Sequence, residues 1–426
     1  MKVLIFSHNV FSNSNNMGKT LAGYFQYFNA EDIAQFYIHS EIPTLNLCKN
    51  YYRITDKEMI SSIFKRQSGK IFKEVDIHTK SNQSRTDTGL TAKLYQKSRA
   101  RTPLIYLMRN LWWSLGAWNT KKFNQWVDEF KPDCIFFASG DYAFMYKIAL
   151  KTAKKRNIPL IVSCMDDYYF YNRNKNKFLG KLAHRLFMKQ VKKTMNYTSA
   201  IFTICDTMTA DYANLFHKPC YTIHTASTLK EPLCMEKKNK ISYIGNLGLG
   251  REKQLLTIAK ALQTVELENC PKYIDVYSGE TRPEILKQLT EENGIRFHGK
   301  ISPEEVLQIM GESLAVIHTE SFDAEMRKRV KYSVSTKIAD SLASGTPLLA
   351  YGPEEVASMQ HLISHNAAFC AIDASELKNT LTSLLTNSAM RKEVVQSALA
   401  LAKSKHIKSH AKALIESVFC NAMQNN

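Results

Sequence analysis

The sequence predicts an α/β protein built from two successive domains, each a mostly parallel sheet with helices on its faces. Two observations carry this. The 426 residues are 44% hydrophobic and 23% charged, with only 16 Gly and 11 Pro, a globular composition long enough for two or three domains. Short apolar runs of strand length also recur along the whole chain, separated by stretches of helical period. Parallel strands buried on both faces read as continuous apolar runs, and strand-then-helix alternation builds doubly wound sheets.

In the first half the strand-like runs are Lys2–Phe6, Ile33–Ile38, Cys134–Ala138, Leu160–Ser163, Ala200–Ile204 and Cys220–Ile223. Helical stretches fall at 17–28, 141–155, 175–196 and 207–215. The second half repeats the alternation with Ile241–Ile244, Ile274–Tyr277, Ile295–Phe297, Leu314–His318, Pro347–Ala350 and Ala368–Ile372. Both halves therefore read as Rossmann-like layers. The polar stretch TASTLKEPLCMEKKNK has no clear period and marks the join. The expected division is 1–225, a linker at 226–240, a second domain at 241–405, and a C-terminal helix at 406–426 able to pack back on the first domain.

The charge is lopsided and local. Lys and Arg number 57 against 39 acids, a net +18. Residues 65–122 contribute +10 and residues 172–193 contribute +8, which is the whole surplus. An anionic partner is implied, whether nucleic acid, acidic lipid or phosphorylated substrate. The stretch TKSNQSRTDTG (79–89) inside the first segment reads as a mobile loop. The apolar run after it carries Trp112, Trp113 and Trp118, which suit a membrane headgroup boundary. A nucleic-acid-binding protein would also explain the charge, but the basic residues interleave with Trp and apolar residues rather than with a nucleic-acid module.

Nine cysteines, an odd number without a CxxC pair, point to reduced, buried thiols rather than zinc or disulfides. The N-terminal MKVLIFSH is too short for a signal peptide's apolar region, and no stretch reaches 18 uninterrupted apolar residues. The expected location is the cytoplasm, peripheral on the inner face of the cell membrane.

Three segments carry chemistry. Asn16, Gly18 and Lys19 follow the first strand, but the phosphate-cradling NTPase loop needs a glycine where Asn13 stands. Backbone amides and Lys19 can still hold an anion or sugar hydroxyls there. The run YIGNLGLGREK places Gly245, Asn246, Gly248, Arg251 and Lys253 after a strand. Its G-x-x-G-x-G order differs from the dinucleotide fingerprint, which disfavours a nicotinamide oxidoreductase. Gly248 lets backbone approach a ligand, while Arg251 and Lys253 suit a diphosphate. The segment HTESFDAEMRKRVKYSVSTKIADSLASGTP ends a strand at Glu320; Ser333–Thr336 then precede a helix expected over Lys337–Ala343, so Ser335, Thr336 and Lys337 stand at its N-terminus. A helix N-terminus with hydroxyls and a cation suits a diphosphate, and Asp340 one turn on can accept from ribose hydroxyls.

SYIGNLG with Arg251 and Lys253, RFHGKISPEE, HTESFD and STKIADSLASGTPLLAYGP together resemble the GT-B glycosyltransferases, and among them the retaining family 4. The resemblance is specific over about 240–355. It implies two Rossmann-like domains with parallel sheets facing across a cleft, and C-terminal helices. It further implies transfer of a sugar from a nucleoside-diphosphate sugar to an acceptor hydroxyl on a sugar or a lipid-linked polysaccharide precursor. His298 and Gly299 of RFHGK then join the donor site with Glu320 and Asp340. That pair stands where the family has E-x7-E, although here the second acid is Asp and the spacing is wider. Asn16, Gly18 and Lys19 face the acceptor. Asp166 and Asp167 replace the family's His-Asp pair, so Asp166 becomes the residue expected at the reacting sugar, beside Glu320, Arg251 and Lys337. No D-x-D occurs, and no metal and no cofactor are expected. A nucleotide-sugar epimerase of the same fold is the nearest rival.

Overall fold

The computed structural model describes residues 1–12, 16–73, 102–172 and 177–424. The expected mobile loop at 79–89 lies outside them, as do Arg173 and Lys175 of the second basic segment. The described residues form two compact units, Met1–Ile223 with Ala411–Asn426, and His224–His410.

The first unit is an eight-stranded sheet. Its strands are β1 (Val3–Ser7), β2 (Ile33–Tyr37), β3 (Asn50–Arg53), β4 (Lys70–Lys73), β5 (Cys134–Ser139), β6 (Leu160–Cys164), β7 (Ala200–Thr203) and β8 (Cys220–Thr222). The order is β4-β3-β2-β1-β5-β6-β7-β8, and every pair is parallel except β3–β4. The central strands VLIFS, CIFFAS and LIVSC are buried throughout, as the continuous apolar runs require. The order reverses at β1, so the loops after β1 and β5 splay apart there, the usual ligand crevice of such sheets. The helix Lys408–Gln424 completes this core: Ile415, Val418 and Phe419 join Val3, Phe25 and Phe136.

The second unit has six parallel strands: β9 (Lys238–Ile244), β10 (Ile274–Tyr277), β11 (Ile295–Gly299), β12 (Ser313–Thr319), β13 (Leu348–Tyr351) and β14 (Phe369–Ala371). They run β11-β10-β9-β12-β13-β14, with the reversal between β9 and β12. The helix Pro303–Glu312 starts where S-P-E-E dictates. Ser302 accepts the Glu305 amide while the Glu305 carboxylate accepts the Ser302 amide, with Pro303 at the first turn. The helix Ser388–Lys405 packs on Thr336–Ala343 through Ala398, Leu401 and Ala402.

Two of the three tryptophans expected at a membrane edge belong to the core. Trp113 is 1% exposed and stacks on Phe144 with centroids 4.5 Å apart, and Trp118 is also buried. The helix Pro103–Leu115 turns a different face outward.

Candidate functional site

The carboxyl edge of the second sheet gathers most of the expected donor residues. β9 ends at Ile244 and the chain turns through Gly245–Gly250 into the helix Arg251–Gln263. Asn246 shapes the turn, since its Oδ1 accepts the Gly248 amide at 2.7 Å and its carbonyl accepts the Tyr243 hydroxyl at 2.7 Å. Gly250 has φ +79°, and a Cβ there would meet Ser321 Oγ at 2.8 Å, so the loop closes against the β12 end only with glycine.

Arg251 grips Glu320 in a two-pronged ion pair, Nη2 donating to Oε1 at 2.7 Å and Nε to Oε2 at 3.2 Å. Glu320 is fully buried at the end of β12. Burial pushes its carboxyl above the ordinary range, with the Arg251 guanidinium opposing. Neighbouring His318, buried and close to Arg251, is pushed down to about 3, so it stays neutral. Its Nε2 faces Ser358 Oγ at 3.0 Å. Glu320 thus fixes the guanidinium from behind, and Arg251 lines a cavity of about 130 Å3 together with Gly245, Asn246, Ser335 and Lys337. A larger, open cavity of about 540 Å3 shares Gly245, Asn246 and Lys337 and adds Gly248, Tyr277, Arg282 and Lys300.

Lys337 stands at the start of the helix Thr336–Ala343, whose N-cap Ser335 accepts the Lys337 amide. The remaining expected residues sit elsewhere. Lys253 and Thr336 are exposed and line neither cavity. His298 pairs with Asp275 and stacks on Tyr277 at 4.6 Å, so it supports the wall of the larger cavity from behind. Gly299, with φ +76°, accepts the Ser278 amide through its carbonyl at 2.9 Å. Asp340 turns Oδ1 to the entry segment of the unit, accepting from Ser227 Oγ at 2.8 Å, the Thr228 amide at 2.7 Å and Thr228 Oγ1 at 3.0 Å.

Tyr277, Arg282 and Lys300 escaped the sequence reading. The signal was available at the ends of β10 and β11 on the same edge, where Tyr277 closes β10 and SGETRP and HGK carry Arg282 and Lys300. Arg282 is held by Glu280, at 2.6 Å from Nη2 to Oε2, and that contact pulls Glu280 down to about 2.

At the carboxyl edge of the first sheet, Asp166 and Asp167 follow β6. Asp167 is spent on its own loop: Oδ1 accepts the amides of Tyr169 and Phe170, and Oδ2 that of Tyr171. Asp166 Oδ1 accepts the Asp167 amide. Asn16 opens the helix Asn16–Phe25, and Lys19 is exposed. Missed here was a ring stack beside the β1 and β5 ends, with His8 and Tyr106 each 5.6 Å from Tyr142. Arg109 lies 3.9 Å over the Tyr142 ring. Burial, then Arg109, pushes His8 down to about 4. Tyr106 and Asp141 also line a small cavity of about 70 Å3 with Tyr168, Tyr171 and His184. Polar and aromatic side chains together in a cavity of this kind suit a polar ligand with apolar faces.

Gly18 has a steric task. A Cβ there would stand 2.4 Å from the Val10 carbonyl oxygen and 2.9 Å from Ser12 Cβ, whereas Gly23 in the same helix has nothing within 4 Å. Alanine for glycine in a helix is worth up to about 1 kcal/mol in stability. A backbone overlap costs about 1–3 kcal/mol. Gly23→Ala is therefore expected to raise the thermal midpoint and Gly18→Ala to lower it. Parallel melts of both variants check this, and a rise in both means the helix does not bear on Val10.

A family model described as glycosyl transferase-like matches residues 266–416. No curated protein matches the chain. Among solved structures the chain is similar to sucrose-phosphate synthase from Thermosynechococcus elongatus, at 11% identity, TM-score 0.58 and 100% of each chain covered. It is similar to HepE of Anabaena in complex with UDP, at 11% identity and TM-score 0.62 over 99% of this chain and 100% of that one. A trehalose 6-phosphate synthase from Burkholderia multivorans aligns at 10% identity and TM-score 0.59, covering 100% and 97%. The two parallel-sheet units, the helical C-terminal region and these likenesses show the GT-B fold, with a glycosyltransferase-like domain in the second half.

Proposed function

We propose that the protein is a retaining glycosyltransferase of the family 4 type, carrying a sugar from a nucleoside-diphosphate donor to an acceptor hydroxyl. The observation that carries the reading is the second-unit cavity at a glycine turn and a helix N-terminus, walled by Arg251, Ser335 and Lys337. Breaking the anomeric C–O bond leaves the electron pair on the departing diphosphate. Fixed cations and a helix N-terminus aimed at that charge stabilise it, most strongly in a partly dry cleft. The acceptor oxygen bonds to the anomeric carbon from the leaving-group face, and its proton passes to the diphosphate. Arg251 and Lys337 supply the positive charge without a metal. In this reading Gly245, Asn246 and Gly248 approach the nucleotide, His298 and Gly299 back its cavity, the exposed Lys253 and Thr336 stand outside the two cavities in the first turns of their helices, and Asp340 meets the ribose by exchanging a bond to Ser227 or Thr228. Glu320 positions Arg251, while Asn16, Gly18, Lys19, Asp166 and Asp167 serve the acceptor.

The acceptor, in the same reading, is lipid-linked and the first unit docks on an anionic bilayer. Trp113 and Trp118 are core residues and do not provide the apolar edge; in this reading two packed helices do. Pro103–Leu115 exposes Leu104, Met108, Leu111 and Leu115, one stripe at helical spacing, and Phe178–Met195 exposes Phe178, Leu179, Leu182 and Leu186. Exposed Lys181, Arg185 and Lys189 interleave with the second stripe. Apolar contact with flanking cations favours anionic lipid, each cation adding about 1 kcal/mol near the surface. Among the described residues no helix is long and apolar enough to cross a membrane. The role that follows is assembly of a surface polysaccharide from the cytoplasmic face.

Calorimetric titration with UDP, GDP and ADP tests the donor site. One of them is expected to bind, and Lys337→Ala is expected to weaken it about ten- to hundredfold through a lost charge-assisted hydrogen bond. No binding by any of the three, or full affinity in Lys337→Ala, overturns the assignment. Full affinity in Asp340→Asn assigns that carboxylate to Ser227 and Thr228 alone.

A further inference from the structure

Three buried histidines lie in the second unit, apart from the donor site. His224, His361 and His406 are 9%, 7% and 1% exposed. One ring nitrogen of each lies within 4.8 Å of those of the other two. None of the three lines either cavity of the donor site. Their positions in the chain are particular. The chain enters this unit at His224 and leaves it after His410, so His224 and His406 stand on the entering and leaving segments. His361 comes from the short helix Ala357–Ile363.

The geometry points to a site for a divalent transition-metal ion, Zn2+ or a close relative, ligated by His224, His361 and His406. The tautomer of His406 is set by its surroundings. Nδ1 faces the Thr225 carbonyl at 2.7 Å and must carry the proton, which leaves Nε2 as a lone pair directed at the cluster. Such a carbonyl behind the ring is the usual support of a metal-bound imidazole. His361 Nε2 lies 2.9 Å from His406 Nε2. Zn–N bonds of about 2.0–2.1 Å put the nitrogens of a tetrahedral site roughly 3.3–3.4 Å apart. Spreading that pair by about 0.4 Å and drawing in the third ring fits the ion. The three rings are already gathered, with centroids 4.9 to 5.2 Å apart.

Chemical class follows from the donors. Three imidazoles without a thiolate or carboxylate favour zinc, nickel or copper over calcium or magnesium, which take oxygen. With the lone pair on His406 Nε2, the 2.9 Å contact makes His361 Nε2 a donor in the ion-free protein, so its proton moves to Nδ1 as the ion takes Nε2. The fourth position belongs to water. The ion would tie the entering segment to the leaving one, where the Ser227 amide already donates to the His406 carbonyl at 2.7 Å. Three protein ligands closed by water make a site of moderate affinity that a chelator can strip.

The test uses the untagged full-length protein. After EDTA treatment and desalting, it is titrated with Zn2+ against a chromophoric chelator, and the bound metal is counted by mass spectrometry. One equivalent per chain is expected, together with a rise in the thermal midpoint. His361→Gln and His406→Gln are expected to lose the stoichiometric ion and the rise in midpoint. Circular dichroism reports whether each variant is folded. Reconstitution of the wild type with Co2+ provides a readout that needs no variant, since three nitrogens and a water give the visible d–d bands of a tetrahedral site. No bound Zn2+ in the wild type, an octahedral Co2+ spectrum, or undiminished binding in both folded variants overturns the proposal.

Discussion

Arg251→Met is expected to destabilise the second unit strongly near neutral pH, by about 3–5 kcal/mol, because it strands the Glu320 carboxylate in the interior. The loss has a pH signature whose sign is fixed. Glu320 is already pushed above its ordinary value of 4.5 by burial, with Arg251 as the opposing influence. Without the guanidinium the folded-state value rises further. A carboxyl raised on folding contributes stability below its unfolded value and loses it as pH rises through the folded one. The variant should therefore come nearest to wild type around pH 4.5 and fall furthest behind above neutrality. Arg251→Met with Glu320→Gln removes the charge and should flatten that slope. Urea unfolding at pH 5 and pH 8 checks all three proteins. Equal losses at both pH values, with no recovery in the double variant, mean the pair is not what holds the β12 end.

Trp113→Ala should cost the first unit about 3–5 kcal/mol, the range for emptying a buried large aromatic site. More than volume is lost. The indole lies nearly parallel to Phe144, at 10°, and its Nε1 donates to Asp56 Oδ1 at 2.7 Å. The same oxygen accepts from Arg109 Nε at 3.0 Å, so the indole and guanidinium share one carboxylate. Trp113→Phe keeps the stack, loses the hydrogen bond and should recover roughly half. Vesicle sedimentation separates core from docking face: Trp113→Phe should still pellet with anionic vesicles, whereas Leu111→Glu with Leu182→Glu should not. Binding lost in the former and kept in the latter would put the docking face elsewhere.

The strands most legible in the sequence are those buried on both faces. The runs LIF, IFFA and LIV need no tertiary context to be read, and each lies inside its sheet. The Rossmann-like layers follow from them, while the GT-B expectation rests on the resemblance over about 240–355. β3 and β4 escaped because NYYR and KIFK are only four residues long with polar ends, and bury just Tyr51 and Tyr52 in the one and Phe72 in the other. They pair antiparallel at the sheet's margin, where lysines protect an open edge. Helix Pro103–Leu115 was obscured differently, since its apolar residues serve both the core and an exposed stripe.

Legibility of the candidate site divides along sequence distance. The glycine turn and the start of helix Thr336–Ala343 are local devices, written in adjacent residues. The hydrogen bonds of Asp340 are not, because its Ser227 partner lies 113 positions away. The same holds for the Arg251–Glu320 pair, which spans 69 positions. No spacing rule reaches so far. Asp167 carries a task that its place after β6 does not spell out, accepting three amides of its own loop.

The helix Lys408–Gln424 also bears on the order of assembly during translation. Its Ile415, Val418 and Phe419 belong to the first unit's core, yet the ribosome makes them only after the whole second unit. At about 5–20 residues per second, the intervening 187 residues take roughly 10 to 40 seconds to emerge. For that interval the nascent first unit carries an unfilled apolar groove beside Phe136, while the second unit, contiguous in sequence, is free to fold first. Chaperone occupancy on stalled nascent chains should therefore persist at 410 residues and fall once residue 424 has cleared the exit tunnel.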